Sequence, residues 1–111
     1  PHLAPTVQGF DGVVRRLLEM APRVVGLGGG GYHLPNVARA WTAAWAAINR
    51  VELAAEIPRA CHKKLAAHGL KSMRLWDAPL ELPADTRQWA EDYAMQQVRL
   101  IREHIFPIHG L

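Results

Sequence analysis

The stretch Val24-Val25-Gly26-Leu27-Gly28-Gly29-Gly30-Gly31-Tyr32 joins an apolar run to a helix that opens at Pro35, and the rest of the chain is interpreted from it. Four consecutive glycines carry a large loss of backbone freedom on folding. A folded chain keeps such a run where backbone passes close to another group, or where its angles exclude a side chain. Tyr32 ends the run and places a polar, hydrogen-bonding tip on a tightly shaped loop.

Working outward, residues 23–27 read as a short buried strand, with the glycine loop continuing to His33. Upstream, Phe10, Val13, Val14, Leu17 and Leu18 recur at helical spacing and predict a helix over 6–20, with Thr6 as its N-cap. Downstream, Pro35 suits the first turn of a helix over 35–49. Val37, Trp41, Ala44, Trp45 and Ile48 would form its core face. Further helices are expected over 58–67 and 84–105, separated by an irregular stretch containing Pro79. One strand cannot make a sheet. The helix–strand–loop–helix order is a slice of an α/β fold whose other strands lie outside this chain. By this reading the chain is a single segment, 1–111, mostly α-helical with one short core strand. The absence of an initiator Met at Pro1 predicts a processed or truncated piece.

The 111 residues are 50% hydrophobic, which implies globular material rather than disorder. The formal charge of +3 is spread over separate segments, so nucleic acid is an unlikely partner. Cys61 is the single cysteine, which rules out an intrachain disulfide and fits a reducing, cytoplasmic setting. No apolar run is long enough for a membrane span, and no N-terminal signal is visible.

Gly26, Gly28 and Gly31 satisfy the spacing of a dinucleotide-binding loop. That fold needs a second strand ending in an acidic residue. Glu52 stands near the right distance, but Leu53-Ala54-Ala55-Glu56-Ile57-Pro58 is a poor strand. Tyr32-His33-Leu34 also separates the last glycine from the helix. A plain structural turn usually needs fewer glycines and gives no reason for the tyrosine.

The loop, followed by Asn36-Val37-Ala38-Arg39-Ala40-Trp41-Thr42 and a terminal Phe106-Pro107-Ile108-His109-Gly110-Leu111, resembles the C-terminal part of the zinc-dependent histone deacetylase family. The resemblance is closest to its bacterial acetoin-utilisation branch. It covers most of the chain and is least clear over 53–83. It implies a parent with the arginase–deacetylase α/β fold that hydrolyses acetyl-lysine or a similar acyl amine. It implies a zinc ion held by two aspartates and a histidine, with an open position for water and the substrate carbonyl. By position, Tyr32 would be the catalytic tyrosine that donates its hydroxyl to the developing oxyanion. A phenol suits that task because it is protonated at neutral pH. Gly29, Gly30 and Gly31 would bind substrate by shaping the narrow channel for its alkyl arm.

No zinc site is expected in the chain itself. Asp11 stands between glycines, His62 and His68 are six apart on one short helix, and His104 and His109 straddle Pro107, so no ligand set has usable spacing. The chain alone is therefore expected to be inactive, with zinc, the catalytic histidines and the remainder of the deacetylase domain supplied by the parent. Arg39 is expected to form a structural ion pair, Trp41 and Trp45 to pack in the core, and Cys61 to be inert. Separated from its sheet, the chain is expected to self-associate through residues 23–27 or the Trp41/Trp45 face. The competing reading is a non-enzymatic helical module for packing or oligomerisation.

Overall fold

A computed structural model describes residues 5–111, and the chain divides into two compact units, 1–78 and 79–111. Among the described residues the regular structure is helical: α1 (Val7–Met20), α2 (Leu34–Asn49), α3 (Arg59–Ala67), α4 (Ala84–His104) and a short 3-10 turn (Phe106–His109).

In the first unit, α1 begins where the Thr6 hydroxyl accepts the Gly9 N–H at 3.1 Å, which satisfies one of the free amides of the first turn. Val7 is buried and Phe10, Val14 and Leu18 are half-buried, one stripe at helical spacing. A second apolar stripe, Val13, Leu17 and Met20, stays exposed. Helix α1 packs against α2. The buried positions of α2 are Pro35, Arg39, Ala43, Ala44, Ala46 and Ala47. Small side chains let two helices approach closely, so the alanines make the contact. The expected core face is thereby corrected: Trp41, Trp45 and Ile48 are exposed, and only Ala44 of that set is buried.

The predicted strand at 23–27 is also corrected. Those residues form no strand among the described ones, and Val25 and Leu27 are 83% and 84% exposed. Strand structure requires a partner strand for its N–H and C=O groups, and the described residues supply none for 23–27. The bridge present joins Glu56 to Arg74 in antiparallel register, with Ile57 N–H bonded to the Met73 carbonyl and Leu75 N–H to the Ala55 carbonyl. It folds residues 70–77 back toward α2, where Leu70 and Leu75 are buried.

One ion pair ties these pieces together. Arg39 is 6% exposed. Its Nε donates to the Leu75 carbonyl at 2.9 Å, one terminal nitrogen to Asn36 Oδ1 at 3.2 Å, and the other to Asp77 Oδ1 at 2.5 Å. Asp77 Oδ2 accepts the Val7 N–H at 2.7 Å, and the Gln8 side chain bonds both backbone polar groups of Asp77. One carboxylate thus caps α1 and anchors α2.

In the second unit, α4 carries Trp89 stacked on Tyr93, one turn away, with ring centroids 5.8 Å apart. None of its residues is buried. The 3-10 turn ends with Gly110 at φ 70°, and the Leu111 N–H bonds back to the Phe106 carbonyl. No helix of the described residues is long and apolar enough to cross a membrane.

Burial acts to raise the Asp77 pKa, but the Val7 N–H and the Arg39 guanidinium together hold it below its ordinary value of 3.8. A lowered carboxylate pKa stabilises the fold above the unfolded value, and the contribution fades as pH falls through the folded one. Asp77→Asn leaves the buried Arg39 charge with a weakened partner. We expect a loss of about 2 kcal/mol at pH 7, less than for a fully buried pair because Asp77 keeps contact with water. Urea unfolding followed by circular dichroism should show this gap closing as pH falls below 3.8. A gap that does not change with pH would remove the ionised Asp77 from its role.

Candidate functional site

The candidate site is the loop between α1 and α2. Two of its glycines have conformational reasons: Gly30 has φ 66° and Gly31 φ 73°, both left-handed. Gly31 has a steric reason as well, because a Cβ there would stand 3.1 Å from a Val37 methyl. Gly26 and Gly28 lie over the Trp41 indole, at 3.8 and 3.7 Å from where their Cβ atoms would be, and Gly26 also faces Ile48 at 3.9 Å. Gly29 has neither reason, since nothing lies within 4 Å of its Cβ position. Open space also faces Gly30. The loop therefore has a held side, against α2, and an open side at Gly29 and Gly30.

Tyr32 stands at the end of this ledge, 94% exposed. His33 follows as the N-cap residue of α2, and its carbonyl accepts the N–H groups of Asn36 at 2.9 Å and Val37 at 3.0 Å. Helix α2 starts at once after the tyrosine, with Pro35 in its first turn. The phenol thus stands exposed at the junction of the glycine run and helix α2. Its hydroxyl can donate to an acceptor brought to the loop from outside.

The structure brings Gly29, Gly30, Gly31 and Tyr32 onto one continuous ledge, and it places Arg39 two turns away in the Asp77 network rather than at the ledge. The use of Val37, Trp41 and Ile48 as the bed of the loop was missed by periodicity. Their spacing marked an apolar face but not what would cover it. Asp77 carried no signal at all, being 38 residues from Arg39 in an irregular stretch.

Other titratable groups are scattered. Among the described residues no group of three His, Cys, Asp or Glu side chains could hold a metal ion. Asp11 accepts from Arg15 Nε at 2.8 Å, and this hydrogen bond raises the Arg15 pKa above its ordinary value. His62 Nε2 lies 2.7 Å from the Ile57 carbonyl, so that nitrogen carries the proton. Cys61 is an exposed free thiol. After α2, residues 51–58 hold no strand, only the bridge residue Glu56, so the second strand of a dinucleotide fold is absent there.

No family model matches the chain, and no solved structure does. Among curated proteins it is similar to histone deacetylase 8 of Xenopus tropicalis, with 45% identity over 53 residues, 48% of this chain and 14% of the relative. Histone deacetylase 8 of Xenopus laevis is 43% identical over 53 residues, 48% of this chain and 16% of the relative. The chain therefore spans a small part of the curated relatives it matches. The similarity supports a relationship to the histone deacetylase family, whose named activity is that of a hydrolase.

The glycines of the loop should respond differently to alanine. Gly31→Ala meets both a left-handed φ and the Val37 methyl, and should destabilise the chain by about 1–2 kcal/mol. Gly29→Ala should leave the urea midpoint unchanged or raise it slightly, because the new methyl enters open space and the unfolded chain loses freedom. Equal midpoints for the two variants would contradict this division of the loop.

Proposed function

We propose that this chain is the C-terminal part of a zinc-dependent deacetylase with the arginase–deacetylase α/β fold, of the bacterial acetoin-utilisation type and cytoplasmic. Its task is to supply an oxyanion-stabilising tyrosine and one wall of the substrate channel. The observation that carries this reading is the exposed Tyr32 beside a glycine, Gly29, whose lack of a side chain answers no need within the chain. A wall that must lie close to a narrow substrate arm explains such a glycine. The residue resemblance and the 53-residue similarity to deacetylases point the same way.

In this role the Tyr32 hydroxyl donates to the carbonyl oxygen of an acyl amine as negative charge develops there. A single donor of this kind contributes about 10²–10³ in rate. Gly29, Gly30 and Gly31 line the alkyl arm, with Gly31 set against Val37 of α2. Among the described residues no three-ligand group stands together, and three protein ligands are what a catalytic zinc needs. The metal of the proposed parent is assigned to residues beyond this chain. The substrate is an acetyl-lysine or similar acyl amine.

In the full-length protein, Tyr32→Phe should lower kcat by about 10²–10³-fold with zinc content unchanged. Unchanged turnover would overturn the role of the phenol. The chain by itself should release no acetate from an acetyl-lysine peptide with or without added zinc, and zinc-dependent hydrolysis by the chain would overturn the division of labour.

The exposed Val25, Leu27, Trp41 and Trp45 favour a second reading for the chain in isolation, that of a packing module. Through this face it would join the remainder of the deacetylase domain or, lacking that, a second copy. Light scattering coupled to size exclusion should give species larger than a monomer as concentration rises, and Val25→Lys with Leu27→Lys should shift them back toward the monomer. A monomer at all concentrations would count against the reading.

A further inference from the structure

We propose that Trp41 and Val37 form a bed on α2 that sets where Tyr32 points, which makes Trp41 a positioning residue of the site. The inference rests on the deacetylase reading only for what Tyr32 then does.

Val37, Trp41 and Ile48 lie on one row of α2, at i, i+4 and i+11. The loop crosses this row in reverse order. Gly26 meets Ile48 and Trp41, Gly28 meets Trp41 again, and Gly31 meets Val37. Its backbone therefore runs antiparallel to the helix, with one indole beneath two alternate glycines. The indole is 40% exposed, so it takes the loop on part of its surface and is not enclosed by the core.

A glycine run has no side chains with which to hold itself and the widest choice of backbone angles. Its order depends on what lies beside the backbone, and the atoms nearest to where a Cβ would stand on Gly26, Gly28 and Gly31 belong to the three side chains of this row. Downstream of Tyr32 the His33 carbonyl is tied to two amides of the α2 first turn. Tyr32 is thus bracketed, by Gly31 on Val37 before it and by the helix cap after it. Removing the Trp41 ring frees the loop upstream of this bracket while leaving every polar bond of the helix intact. A displacement of about 1 Å in a group that must meet a reacting atom lowers turnover by about 10²-fold.

The test compares Trp41→Ala and Trp41→Phe in this chain and in the full-length protein. In the chain, Trp41→Ala should lower the ¹⁵N heteronuclear NOE of residues 28–32 and abolish the ring-current shifts of the Gly26 and Gly28 α-protons. Far-UV circular dichroism should not change, since alanine suits a helix interior. Should alanine unfold α2, Trp41→Leu, apolar and helix-forming but without a ring plane, carries the same comparison. In the full-length protein, Trp41→Ala should lower kcat by about 10²-fold with KM and zinc content held, and Trp41→Phe should restore most of it. A loop equally ordered without the ring overturns the bed. A loosened loop with wild-type kcat overturns the positioning role. A full-length wild type without deacetylase activity would sink the deacetylase reading, and the loop measurements in the chain would still decide whether Trp41 is the bed.

Discussion

The Arg39–Asp77 pair is the constraint on which the first unit depends. A guanidinium buried among alanines must have its donors satisfied, because an unpaired buried charge is strongly unfavourable. Arg39 meets this need through three partners, and the last, Asp77, also takes the first amide of α1. Three separate pieces are thereby placed by one charge: the start of α1, the middle of α2 and the returning segment at 75–77. Apolar burial in this unit rests largely on alanines, with Val7, Leu70 and Leu75 as its larger buried apolar side chains. Directional polar contacts therefore carry an unusually large part of its specificity, while the helix–helix contact supplies proximity without much shape.

That arrangement leaves the other face of α2 available. Its inner face is committed to alanine contacts with α1 and to the Arg39 network. Its outer face offers Val37, Trp41 and Ile48 to the loop. The glycines thus fall into groups with different physical reasons. Gly26 and Gly28 face the Trp41 indole at a distance where a Cβ would make ordinary contact, Gly30 and Gly31 adopt left-handed angles, and Gly29 borders open space. Tyr32 emerges where the ledge meets the helix cap. A phenol on a ledge that is held on one side only is suited to meet a group arriving from the other side.

The exposed apolar surface belongs to the same account. Val25 and Leu27 have strand-like composition, yet they lack a strand to pair with in this chain. Val13, Leu17 and Met20 form an outward stripe on α1 that its packing against α2 does not use. Such faces are ordinary in the interior of a larger domain and unusual on a finished surface. They accord with the relationship to deacetylases, of which the chain spans only a small part.

The helices were legible in the sequence because their signals are local. The Thr6 hydroxyl, the apolar spacing of residues 7–18 and Pro35 act within a turn or two of the bonds they make. The left-handed glycines ahead of Tyr32 were legible as a loop for the same reason. Two expectations failed, and both concern what covers a surface. An apolar run at 23–27 suggests a strand, but a strand exists only with a hydrogen-bonded neighbour, and neighbours are a property of the whole fold. Likewise, the tryptophan row of α2 has the periodicity of a core face, but periodicity does not say which of two faces a neighbouring helix will take. Alanines won that contact because they permit closer approach, and the larger residues became the bed of the loop. The pairing of Arg39 with Asp77 lay beyond the sequence because no local rule links charges 38 positions apart. By itself, then, the sequence determined the helices and the loop that ends at Tyr32. Only the tertiary structure decided which side of the loop is held, since that depends on contacts between segments that no local spacing encodes.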